Sequence, residues 1–117
     1  MVPAKELAEA IAQWAYERRA EEVVVMEVGQ VSHITDYFVI MHASNRVLAG
    51  AIVEAIIDEA RKVFKVELPL REGLPQGDWM LIDFGTVVVH VFLEETRRFF
   101  DLERLWVDAP FLPLDLH

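Results

Sequence analysis

The chain has 117 residues, of which 54% are apolar, enough for one compact domain with a real core and too few for two. Twenty acidic residues face eleven basic ones, for a net charge of −9, so the surface as a whole is unsuited to direct nucleic-acid binding, which needs clustered Lys and Arg. The absence of cysteine excludes disulfides, thiolate catalysis and thiolate metal sites, and no apolar run is long enough to cross a bilayer.

Residues 3 to 19 read as a helix. Pro3 suits a first turn, and Leu7, Ile11, Trp14 and Ala15 recur at helical spacing. This segment begins too early and is too charged, with Lys5 and Glu6, for a signal peptide, so a cytoplasmic protein is expected. Residues 22 to 28, "EVVVMEV", and 35 to 41, "TDYFVIM", read as strands. Ser44 is expected to cap a second helix that runs to about Val63, with Val47, Leu48, Ala51, Ile52, Ala55 and Ile56 on one side. "FKVEL", residues 64 to 68, alternates and reads as a short strand ended by Pro69, and "REGLPQG", residues 71 to 77, as a loop.

Residues 79 to 84 and 87 to 92 are two more strands, joined by Gly85-Thr86 as a two-residue hairpin loop. Glu94 and Glu95 open a last helix to about Trp106, where acids complement the N-terminal dipole, and Pro110 and Pro113 keep the tail irregular. The order α-β-β-α-β-β-β-α predicts a single α/β (α+β) domain over residues 1–117: a mixed five-stranded sheet with about three helices on one face and part of the other left open.

The hairpin sets a register that pairs Trp79 with Phe92, Leu81 with His90 and Asp83 with Val88. Since side chains alternate, one face collects Met80, Ile82, Phe84, Val87, Val89 and Val91, all apolar and directed to the helices. The other collects Trp79, Leu81, Asp83, Val88, His90 and Phe92. Aromatic anchors among a few polar groups are the composition of a docking face. An equally weighted reading packs Trp79 beneath the C-terminal tail at Phe111 or Leu112.

An enzymatic site finds little support. His33, His42, His90 and His117 lack metal-ligand spacing, the phosphate-binding and nucleophile-elbow glycine patterns are missing, and Asp36 and Asp83 meet only if their strands are neighbours. Arg97 and Arg98, with Glu94 and Glu95 one turn back, read as ion pairs on a solvated helix. Arg46, beside the helix cap, is a further candidate anion contact by position alone.

Four segments, "ITDYFVI" (34–40), "SNR" (44–46), "GDWMLIDFGTVVVHVF" (77–92) and "RRFFDLERLWVDAP" (97–110), resemble the ribosomal silencing factor family, also called the Iojap family. The likeness runs over nearly the whole chain. It implies a scaffold similar to that of nucleotidyltransferases, but no enzymatic activity and no cofactor. It also implies binding to the large ribosomal subunit through its basic protein L-fourteen, which blocks joining of the small subunit and represses translation. Organelle members act instead in large-subunit assembly, and the free factor is implied to be a homodimer.

On that basis Asp78, Trp79, Asp83, His90 and Phe92 are the expected partner-binding residues, with Phe99, Phe100, Leu102 and Trp106 in support. A rival reading, a metal-dependent nucleotidyltransferase, lacks its signature: Val31, not glycine, precedes Ser32, and Phe38 stands where a second acid would follow Asp36. Two features depart from the family pattern. Thr86 replaces the usual acid of the hairpin turn, and "MHASNR" replaces a glycine-containing link after the second strand.

Overall fold

A computed structural model describes residues 2–73 and 77–117. Its elements are α1 (Ala4–Glu17), β1 (Glu21–Met26), a 3-10 turn (Val28–Gln30), β2 (Tyr37–Ala43), α2 (Arg46–Phe64), β3 (Leu70–Gly73), β4 (Trp79–Asp83), β5 (Val87–Leu93), α3 (Glu94–Phe100) and α4 (Leu102–Leu105). The strands form one mixed sheet in the order β1-β2-β5-β4-β3, parallel between β2 and β5 and antiparallel elsewhere. The parallel pair sits at the centre, which needs a crossover, and α2 lies within it.

The expected hairpin register is present. Trp79 faces Phe92, Leu81 faces His90 and Asp83 faces Val88. Gly85 takes φ +90°, a left-handed conformation that suits glycine, and its N–H donates to Asp83 Oδ1 at 2.7 Å. On the first sheet face, Ile82, Val87, Val89 and Val91 join Leu7, Ile11, Ile52 and Ile56 of α1 and α2 in the larger core cluster.

Four expectations need correction. "FKVEL" is not a strand: α2 continues to Phe64, which packs against Trp14 with ring centroids 6.1 Å apart, and Lys65 ends the helix at φ +58°. The fifth strand falls instead at Leu70–Gly73, inside the segment read as a loop, and residues 74–76 of that segment lie outside the described residues. All four β3 residues are exposed, so no alternation announced the strand; antiparallel pairing with β4 creates it.

The cap of α2 is Asn45 rather than Ser44: Asn45 Oδ1 accepts from the Leu48 N–H at 2.8 Å. Asn45→Ala is expected to lower stability by about 1 kcal/mol in urea unfolding, with Ser44→Ala close to neutral.

The last helix is broken. Asp101 adopts φ +47° between α3 and α4. Finally, the helices do not share one face. Leu102 and Trp106 join Phe92, Ile40, Met26 and Phe38 in a second cluster, so α3–α4 cover part of the face opposite α1 and α2. The tail runs beside β1, where Phe111 bridges Met26 and the Leu112 N–H donates to Val25 O at 2.8 Å. It occupies the outer edge of β1 and removes an unpaired edge there.

Candidate functional site: an aromatic face on the sheet

The second sheet face is built around Trp79. Its ring stacks on Phe92 at 5.0 Å and lies 4.6 Å from Phe100 of α3. Its indole N–H donates to His90 Nδ1 at 3.2 Å. His90 meets Phe38 edge-on at 4.7 Å, and Phe38 meets Trp106 at 5.4 Å. Trp79 is therefore not packed beneath the tail, since Phe111 and Leu112 run along β1.

The expected contact residues divide by depth. Phe92 is 1% exposed and His90 4% exposed, so neither offers a surface; both hold Trp79 from beneath. Trp79, Leu81 and Asp83 are partly exposed. Phe99 is 80% exposed and Phe100 sits at the rim, whereas Leu102 is buried and supports the helix. Trp106 is partly exposed and closes one side. Asp78 pairs with Arg46 at 2.8 Å, and its carbonyl accepts from the Leu93 N–H, which fixes the start of β4 against the end of β5. Arg46 is thus engaged by a carboxylate rather than set aside for an anion.

Burial lowers the His90 pKa to about 4 from its ordinary value of 6.5. The indole hydrogen bond acts in the same direction, because the neutral ring must keep a lone pair on Nδ1 to accept it. His90 is then neutral near pH 7, with its proton on Nε2.

Asp36 and Asp83 do not form a carboxylate pair: Asp36 precedes β2, and β5 separates β2 from β4. Glu22, His42 and Glu94 do come together, with ligand atoms within 4.8 Å of one another. Two arginines already occupy that cluster. Arg98 pairs with Glu22 and Glu94, and Arg97 Nη1 lies 3.0 Å from His42 Nδ1, so the cluster is satisfied by guanidinium groups.

Arg97 corrects the solvated-helix reading. It is 3% exposed and reaches across the sheet end to His42, to Glu21 O at 3.3 Å and to Glu103 at 3.1 Å. Burial, then Arg97, lower the His42 pKa, so Nδ1 accepts from the guanidinium. The local sequence carried no signal for this role, because Arg97 and Arg98 are neighbours of the same type. Only the helix phase separates an inward residue from an outward one.

Among the described residues, no helix is long and apolar enough to cross a membrane. The model of the family described as "Ribosomal silencing factor during starvation" matches residues 2–116. A ribosomal silencing factor from Bacillus subtilis is 36% identical over 99 residues, which cover 85% of this chain and 83% of that protein. One from Halalkalibacterium halodurans is 39% identical over 85% of this chain and 84% of its own length. A mouse protein named for mitochondrial assembly of the ribosomal large subunit is 33% identical over 77% of this chain and 40% of its own.

A crystal structure from Bacillus halodurans has a TM-score of 0.78 at 32% identity, over 94% of this chain and 99% of that one. A Chromobacterium violaceum structure shares the fold at TM-score 0.85, 18% identity and 99% and 95% coverage. With the family model spanning almost every residue and the fold shared throughout, this chain belongs to the ribosomal silencing factor family.

Proposed function

We propose that this protein binds the large ribosomal subunit through its basic protein L-fourteen and excludes the small subunit sterically, lowering translation without chemistry of its own. The carrying observation is the partly exposed Trp79, held by Phe92, Phe100 and His90, with exposed Phe99 next to Phe100. A preorganised aromatic with a carboxylate on the same sheet face is what a basic partner surface can anchor on. Asp83 supplies charge at the face, and Asp78 orients Arg46 at its border. The net charge of −9 favours encounter with a basic protein.

Co-sedimentation with separated subunits tests the reading. The protein should migrate with large subunits and keep added small subunits from joining them. Recovery at the top of the gradient in every condition would sink it. Trp79→Ala is expected to weaken binding by about 2 kcal/mol or more, roughly thirtyfold in Kd, measured under conditions where circular dichroism shows the variant folded. The free factor is proposed to dimerise through the same face, so sizing should show dimers that L-fourteen converts to heterodimers.

A second reading is favoured by the relative named for large-subunit assembly: the same docking would act on maturing subunits. Depletion separates the two. Accumulation of incomplete large subunits supports assembly, and unchanged subunit profiles with excess joined ribosomes in starved cells support silencing.

A further inference from the structure

A cleft of about 270 Å³ opens between the loop before β2, the β4–β5 face and Trp106. Phe38, Leu81, Val88 and Trp106 give it apolar and aromatic walls. Two of the polar side chains that line it are almost wholly buried: Thr35 is 7% exposed and His90 4%. Among the described residues, Thr35 Oγ1 and His90 Nε2 have no hydrogen-bond partner. Because His90 Nδ1 accepts from the Trp79 indole, Nε2 carries the imidazole proton and is a donor without an acceptor. Leaving such a group unsatisfied in a buried site is costly, and an acceptor brought by a ligand would recover that cost.

We propose that this cleft is a binding site for a small, neutral, single-ring aromatic carbonyl compound, with its carbonyl oxygen accepting from His90 Nε2–H and its ring between Trp106 and Leu81. Each part of that class follows from the lining. The volume holds one ring with a short substituent. The aromatic walls favour a flat ring. The His90 donor and the Thr35 hydroxyl ask for an acceptor oxygen. Asp83 and Glu72 line the same cleft and exclude an anion, so a carboxylate of identical shape is rejected where an amide is accepted. The inference does not depend on the ribosomal partner proposed above.

Benzamide, benzoate and toluene form a matched set of probes, titrated into the ¹⁵N-labelled full chain. Benzamide should bind in the millimolar range and shift the His90 ring N–H, the Thr35 amide and the Trp106 indole N–H together, with saturation. Benzoate and toluene should each bind about tenfold more weakly, the former through repulsion and the latter through the missing acceptor. His90→Phe should erase the preference of benzamide over toluene. Thr35→Val, a milder change, should weaken benzamide severalfold even if His90→Phe fails to fold. Absence of saturable shifts with benzamide, shifts that map outside the cleft, or equal binding of benzamide and either control would overturn the proposal.

Discussion

Arg97→Ala is expected to destabilise the fold by about 3 kcal/mol, read as the change in unfolding free energy in urea. The guanidinium is 3% exposed and bridges β1, β2 and α4 through Glu21 O, His42 and Glu103. Its removal strands the lone pair of buried His42 Nδ1 and opens a cavity at the sheet end. Glu103 keeps 24% side-chain exposure and can rehydrate, which holds the loss toward the lower end for a broken buried pair.

Arg97→Lys should recover only part of that loss, because an ammonium cannot span all three acceptors in one plane. Arg98→Ala should change stability little, since its partners Glu22 and Glu94 are exposed. A loss under about 1 kcal/mol for Arg97→Ala would mean that α3–α4 are held by Leu102 and Trp106 alone.

The second expected result is loss of stability in mild acid. His90 folds with a pKa of about 4, below its ordinary value of 6.5, so between those pH values the unfolded chain binds a proton that the folded chain refuses. The contribution is complete above pH 6.5 and is lost progressively as pH falls toward 4, reaching about 3 kcal/mol. His42 is lowered too, by burial first and Arg97 second, and acts with the same sign. The Glu22 carboxyl is lowered below 4.5 by its hydrogen bond to Arg98, so its own loss falls at lower pH and leaves the range from 6.5 to 5 to the histidines.

Unfolding free energy measured across that range should fall by up to about 1.4 kcal/mol per pH unit through His90, with His42 adding in the same direction. His90→Gln should remove one proton's share of the slope, whatever it does to stability at pH 7. An unchanged slope in that variant would show that His90 titrates normally, and the preorganisation of Trp79 by a neutral imidazole would fall with it.

The hairpin was legible residue by residue. The side-chain alternation of residues 79 to 84 and 87 to 92 and a glycine at the loop leave one register in which one face is wholly apolar and both polar residues, Asp83 and His90, fall on the other, and a one-residue slip would mix the two sets. The docking candidates emerged from the same sorting. Depth did not. Trp79 and Phe92 look alike in sequence, yet Phe92 lies on a central strand and Trp79 beside the exposed β3 edge, so one is sealed and the other partly exposed. β3 was missed because an exposed edge strand carries no hydrophobic pattern and exists through its partner.

What the sequence alone determined is therefore whatever short-range periodicity encodes: helix faces, strand faces, the hairpin register and the family motif. The tertiary structure decided which side of the sheet α3–α4 occupy, and with it the burial of Phe92, His90 and Arg97. For α4 the physical reason is the break at Asp101. A single left-handed residue redirects the chain so that Leu102 and Trp106 meet Phe38 and Phe92 across the sheet, and no local pattern states the direction in which that turn will point.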